Sequence, residues 1–256
     1  MLGVECSQLN KAMASSFKKI ANTAIGFLYP NVCQLCGAQR ATSTEGFVCA
    51  RCWQQVRFIK PPFCKRCGLP FQGAITNEFE CTNCREMKLH FRSARSAVSA
   101  SGAVLEVLHR YKYKRALWFE PFLADLLIRE ALPELRQEKW DLIVPVPLHP
   151  AKKRQREFNQ AERLATFLSA AATIPMDTTL LKRVSWTETQ TKLSREKRAE
   201  NMRNAFTMRK RAKLKGERIL LFDDVFTTGA TTNACAAVLL AAGAGEVGGW
   251  TVARGL

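Results

Sequence analysis

Residues 219–232 read ILLFDDVFTTGATT. Ile219 to Phe222 is a short, wholly apolar run, as expected of a strand covered on both faces. Asp223 and Asp224 follow it, then Thr227, Thr228, Gly229, Ala230, Thr231 and Thr232, and an apolar helical stretch from Asn233 to Ala242 closed by Gly243. The order is strand, acidic pair, hydroxyl-rich loop, helix. A loop that opens a helix turns backbone N–H groups and the positive end of the helix dipole toward an anion, so Thr227, Thr228, Gly229, Ala230 and Thr231 suit a phosphate. Two carboxylates at the strand tip suit the sugar of the same molecule. Asp223 and Asp224 can accept hydrogen bonds from vicinal ribose hydroxyls or hold Mg²⁺ through its waters. An ordinary strand–loop–helix turn of a doubly wound domain has the same outline, and the density of hydroxyls sets this one apart.

Upstream, strand and helix patterns alternate. Arg95–Ala100 reads as a strand, Ala103–Tyr111 as a helix, and Leu117–Leu132 as a second helix ended by Pro133. Asp141–Leu148 is strand-like, Phe158–Ala172 helical, Thr178–Val184 strand-like, and Gly249–Ala253 is expected to close the sheet. Such alternation predicts a mostly parallel α/β sheet with helices on both faces. Ligands then bind beyond the carboxyl ends of the strands, where the acidic pair is expected.

Two basic constellations fall at such ends. The first follows the strand-like 141–148: His149, Lys152, Lys153, Arg154, Arg156, Asn159 and Gln160. Its cations form an electropositive loop suited to a diphosphate, with Asn159 and Gln160 as neutral donors, unless it is simply a solvated charge run. His149 receives no catalytic role. The second is Thr187–Phe206, which carries Lys192 and Arg198; from Lys182 to Arg218 there are 13 Lys/Arg against 4 Asp/Glu. This segment reads as a hood able to order over an anion, or else as a solvated surface helix.

Eight of the ten cysteines stand in four C-x-x-C pairs: Cys33/Cys36, Cys49/Cys52, Cys64/Cys67 and Cys81/Cys84. A two-residue gap lets both thiolates of a pair reach one tetrahedral ion, and two pairs complete the shell. Sequential pairing gives two small zinc ribbons, so two structural Zn²⁺ are expected; interleaved pairing, or one filled site, remains compatible with the spacing. Gly37 and Gly68 follow the second Cys of their pairs, where a knuckle turn calls for positive φ. Pro61-Pro62 separates the two ribbons. Disulfides are the competing use of such pairs, and a cytosolic chain disfavours them. Cys6 and Cys235 stand apart, as a terminal thiol and a small buried helix residue.

The chain has 256 residues, with 47% hydrophobic and 24% charged content, as in a globular protein, and a net charge of +17 that asks for an anionic partner. No apolar run approaches the ~20 residues of a membrane span, so a cytoplasmic location is expected. Lys18-Lys19 and the apolar stretch ending at Tyr29 imitate a signal peptide only faintly, because Asn22 and Thr23 interrupt it; residues 1–30 read as a leader helix. The expected organisation is that leader, a double zinc-ribbon module over 31–90, and an α/β domain over 91–256. The leader and ribbon part, 1–90, carries 11 Lys/Arg against 5 Asp/Glu, while 91–256 carries 28 against 17, so most of the excess charge lies near the expected phosphate site.

Taken together, the four C-x-x-C pairs, VPVPLHP at 144–150 with FNQA at 158–161, TQTKLSREKRAENMRNAF at 189–206 and LLFDDVFTTGATT at 220–232 resemble the ComF/GntX (ComFC-like) family from about Tyr29 onward. The last stretch is similar to the phosphoribosyl-pyrophosphate (PRPP) motif of type I phosphoribosyltransferases. The resemblance implies a double zinc ribbon fused to a phosphoribosyltransferase-like domain, serving natural transformation or use of imported DNA. It implies PRPP chemistry, in which diphosphate leaves C1 of the ribose. Asp223 and Asp224 would be the catalytic pair holding ribose and Mg²⁺. Residues 227–231 would hold the 5-phosphate. Lys152, Arg154, Arg156, Asn159, Gln160, Lys192 and Arg198 would hold the diphosphate. The family usually carries Gly immediately before its FNQ, where this chain has Glu157. The alternative reading is a non-catalytic single-stranded-DNA-binding or adaptor component of a DNA-uptake machine that keeps the fold.

Overall fold

The computed structural model describes residues 31–71, 73, 78–185, 204–209 and 213–255. Their elements, in chain order, are α1 (Ala50–Trp53), α2 (Thr82–Glu86), β1 (Ala94–Ser99), α3 (Gly102–Tyr113), α4 (Glu120–Gln137), β2 (Leu142–Pro145), α5 (Pro150–Arg156), α6 (Gln160–Ala172), β3 (Leu181–Arg183), β4 (Phe206–Met208), β5 (Arg218–Phe226), α7 (Ala230–Ala241) and β6 (Glu246–Arg254). The expected leader helix and Cys6 lie outside the described residues.

The main sheet has the order β1-β6-β5-β2 with every neighbour parallel. β3 and β4 form a separate antiparallel ribbon. Alternate side chains of β5 divide the core: Leu220 and Phe222 pack with α3, α4 and α6, while Ile219 and Leu221 pack with α7. The zinc-ribbon cysteines divide the same way. Cys33, Cys49 and Cys52 join the first cluster, and Cys64, Cys67, Cys81 and Cys84 join the second. The connector between the ribbons runs along the free edge of β1, where Ile59 N–H donates to Ala97 O (3.0 Å) and Ser99 N–H to Arg57 O (2.8 Å). An exposed strand edge is thereby covered, with one ribbon delivered to each face.

Several boundaries differ from expectation for identifiable reasons. β6 does not close the sheet: apart from Glu246 it is buried throughout, and it lies inside between β1 and β5. β5 continues four residues past Phe222, so both aspartates lie within the strand and are not at its tip. α7 begins at Ala230, before Asn233. α4 runs through Pro133, because Ala131 and Leu135 on either side are buried, which offsets one lost N–H bond. β2 is shorter than 141–148, as Pro145 and Pro147 have no N–H for the ladder. The basic 149–156 stretch is not a loop but the short helix α5, capped by His149 Nδ1, which accepts from Ala151 N–H (3.2 Å).

Candidate functional site

The two cysteine groups come first because their geometry is the simplest. Cys33, Cys36, Cys49 and Cys52 form one and Cys64, Cys67, Cys81 and Cys84 the other, with sulfurs in each within 4.8 Å of one another. Pairing is therefore sequential. The Cys33–Cys52, Cys36–Cys49 and Cys67–Cys81 sulfurs are 3.7 Å apart. A tetrahedral ion with Zn–S bonds of ~2.3 Å places its sulfurs about 3.8 Å apart, whereas a disulfide needs about 2 Å. Two Cys₄ sites thus fit two structural zinc ions. Gly37 and Gly68 have φ of 66° and 67°, as the knuckle turns require. Backbone donors at Ala38 and Gln39 pull exposed Cys36 down to about 6. The Cys84 hydrogen bond, with the Arg254 guanidinium, pulls Cys67 down to about 5. These two shifts favour thiolates at Cys36 and Cys67, whereas burial pushes Cys49, Cys52 and Cys81 up and the Cys67 hydrogen bond pushes Cys84 up.

The acidic pair straddles the sheet. Asp224, 7% exposed, faces the α3 side and its Oδ2 meets Lys112 Nζ at 2.8 Å. Lys112 is held in place from the neighbouring position: buried Tyr111 donates its hydroxyl to Glu120 Oε1 (2.7 Å), and Glu120 also binds Arg163 of α6. That network ties α3, α4 and α6 together beneath the site. Asp223, half-buried, lies toward α7 and β3, within electrostatic reach of Cys235 and Arg183. Burial, and then the Asp224 charge beside it, push Asp223 up to about 7. Cys235 is buried, as expected of a small helix residue.

Beyond the pair, Thr227 is exposed, Thr228 accepts from Ala230 N–H (3.4 Å), and Gly229 adopts φ +80° as the N-cap of α7. A Cβ on Gly229 would lie 2.6 Å from the Phe226 ring, so the turn into the helix requires glycine twice over. The helix end and the threonine hydroxyls together offer donors to an anion.

Of the basic residues expected around a diphosphate, the fold brings some together and turns others away. Lys152 and Arg156 share one face of α5. Burial, then Arg183, Arg156 and Lys112 in that order, lower the Lys152 pKa, so four cations from α3, α5 and β3 converge. Arg156 stacks over Tyr113 (5.1 Å) and donates to Gln160 Oε1 (3.0 Å). Arg154 is exposed on the opposite side of α5. Asn159 is spent internally: Nδ2 donates to Val146 O (3.0 Å) and Oδ1 caps Ala161 N–H (3.1 Å), so it shapes the site. Buried Gln160 orients Arg156. Lys192 and Arg198 lie outside the described residues. Lys112 and Arg183 escaped the sequence reading, although the basic run Arg110–Arg115 ending a predicted helix was a usable signal for Lys112. For Mg²⁺ the described residues offer two carboxylates, one already paired with lysine. That set suits the ion only where phosphate oxygens complete its shell. Among the described residues no helix is long and apolar enough to cross a membrane.

A family model described as "Double zinc ribbon domain" matches residues 24–87. Competence protein F of Haemophilus influenzae is 31% identical over 218 residues, covering 81% of this chain and 90% of that protein. DNA utilization protein YhgH of Salmonella typhimurium is 32% identical over 230 residues, covering 89% and 98%. Competence protein ComFC of Bacillus subtilis is 27% identical over 250 residues, covering 92% and 100%. Among solved structures, the chain is similar to an adenine phosphoribosyltransferase of Leishmania tarentolae, at 18% identity and a TM-score of 0.33, covering 54% of this chain and 58% of that one.

Proposed function

Because the chain belongs to the ComF family, that of competence protein F, ComFC and YhgH, we propose that it binds PRPP, or a closely related sugar diphosphate, in the service of DNA uptake or use. The observation that supports this best is the juxtaposition around the end of β5. The acidic pair lies in β5 and the glycine-turned threonine loop follows it into α7; Lys112 pairs with Asp224, and Arg183, Arg156 and Lys112 lie within electrostatic reach of Lys152. In this reading residues 227–231 take the 5-phosphate, Asp223 and Asp224 the ribose hydroxyls, and the cations the diphosphate. Lys192 and Arg198 are proposed to join the cations. Mg²⁺, carried in by the diphosphate, would neutralise part of the leaving charge. The chain's own work is to bind, orient and exclude water while diphosphate departs, which is mostly electrostatic catalysis. Lys112 exchanges Asp224 for a phosphate oxygen as the ligand enters, freeing the carboxylate for the sugar.

Calorimetric titration with PRPP and Mg²⁺ tests this. Asp223→Asn with Asp224→Asn should abolish binding without unfolding the chain, and Thr228→Val should weaken it by ~1–3 kcal/mol through a lost phosphate hydrogen bond. Equal affinity in wild type and the doubly neutralised variant would reduce the motif to a structural turn. A second reading, an adaptor for single-stranded DNA, draws on the net charge of +17. Oligonucleotide binding that PRPP does not compete, with no PRPP binding at all, would favour it.

A further inference from the structure

Arg254 ends β6 at 4% exposure, and among the described residues it has no carboxylate partner. Its guanidinium instead donates to Cys67 O (2.5 Å) and Cys67 Sγ (3.4 Å) and lies 4.8 Å over the Phe226 ring. A buried cation needs compensating negative charge nearby. A Zn²⁺ ion held by Cys64, Cys67, Cys81 and Cys84 as thiolates would carry a net charge of −2 and would supply it. The same Phe226 ring is the surface on which Gly229 turns, and it meets Phe91 edge-on at 6.2 Å. A second tie runs from the first turn of α7. Asn233 Oδ1 accepts from His90 N–H (2.6 Å), and its Nδ2 donates to Lys88 O (3.0 Å), in the segment leaving Cys84. Beside the Arg254 tie lies a cavity of about 210 Å³, walled by Cys67, Cys84 and Phe91 on one side and by Phe226, Thr227 and Thr228 on the other. Arg254 lines this cavity and joins its two walls, and Asn233 makes a separate tie from α7 to the backbone at Lys88 and His90.

We propose that the second Cys₄ module is a positioning element for the Thr227–Gly229 loop, acting through Arg254 and Asn233, and that the first module has no such role. The importance of this for ligand rests on the phosphate reading of that loop; the mechanical coupling does not. The first module packs on the other face of the sheet, with α3 and α4, and none of the contacts described at the loop reaches it. Arg254 and Asn233 are positioning residues here. Arg254 holds Phe226 flat beneath Gly229, and Asn233 holds the helix end against the ribbon.

Hydrogen–deuterium exchange over residues 226–233, read alongside zinc content and PRPP affinity in the full chain, tests the coupling. Arg254→Met keeps an apolar stem over Phe226 and removes the charge. It should speed exchange in that segment at least ~10-fold and weaken retention of the second zinc ~10–100-fold, the usual scale for an outer-sphere partner, while leaving the first zinc in place. Arg254→Lys should recover zinc retention by restoring the charge, yet leave the loop loosened, because an ammonium lacks the flat fork that bridges Cys67 and Phe226. Cys36→Ser, which disrupts only the first site, should leave exchange at 226–233 unchanged. Unchanged exchange in Arg254→Met, or equal loosening by Cys36→Ser, would overturn the proposal. If Arg254→Met does not fold, Asn233→Ala takes its place with the same exchange criterion. Wild type that fails to bind PRPP while Arg254→Met still loosens the loop would remove the phosphate reading and keep the coupling.

Discussion

Asp223 and Asp224 are adjacent in sequence and of one type, yet the pleat sends them to opposite faces of the sheet and gives them different chemistry. Asp224 is neutralised by Lys112 at 2.8 Å. For Asp223, burial and the neighbouring charge push its pKa up to about 7. In the unfolded chain an aspartate titrates near ~3.9, so the folded chain holds this proton more tightly. The resulting stability is complete below about pH 4 and is lost as pH rises through about 7. Asp223→Asn should therefore flatten the fall in unfolding free energy that wild type shows between about pH 4 and 7, measured by denaturant titration. Parallel pH profiles would mean that the carboxyl is solvated in the folded chain. Residue identity was legible from the motif here; the raised pKa of Asp223 was not, because it comes first from burial, which only the packed fold supplies.

At the scale of elements, the instructive case is the end of α5. Glu157 terminates that helix at φ 68°, a left-handed conformation that costs a non-glycine residue about 1 kcal/mol or more. Its carboxylate pairs with Arg115 (2.8 Å), but both side chains are more than half exposed, so the pair returns little. Glu157→Gly should raise stability by ~1 kcal/mol, read as a shift in the denaturation midpoint at unchanged slope. A lower midpoint would assign the exposed Arg115 pair a larger role than solvent screening allows. The place where a glycine usually stands was readable in the sequence, and its backbone reason is a turn that must reverse between α5 and Asn159. The helical state of 150–156 was not readable, since a short basic run with proline at its start has no apolar periodicity. The register of β3 with β4 was equally hidden, because it joins segments separated by the basic stretch.

At the scale of the whole molecule, the sheet separates two metal-binding modules, and each merges with the core on its own face. Elemental analysis of protein purified without added metal should give two zinc ions per chain. Cys36→Ser and Cys67→Ser should each lose one ion and the order of one ribbon, because binding and folding free energy are the same quantity in such modules. A zinc content near zero, with cysteines recovered as disulfides, would sink this assignment. The two losses should differ in reach, as only the second module adjoins the threonine loop.

By itself the sequence determined the parallel α/β class, the eight metal ligands and the acidic-pair and threonine-loop motif. Each is a local pattern: a period of two or 3.6, a two-residue cysteine gap, or an unbroken strand–loop–helix string. The tertiary structure alone decided that the cysteine pairs close sequentially, that β6 is central, that Lys112 and Arg183 join Lys152 and Arg156, and that Asn159 is consumed as a cap. It alone decided that Arg254 faces a thiolate rather than a carboxylate. These are partnerships between residues as many as 187 positions apart. No local preference encodes them, because they exist only once burial has brought charges and donors into a space where water no longer satisfies them.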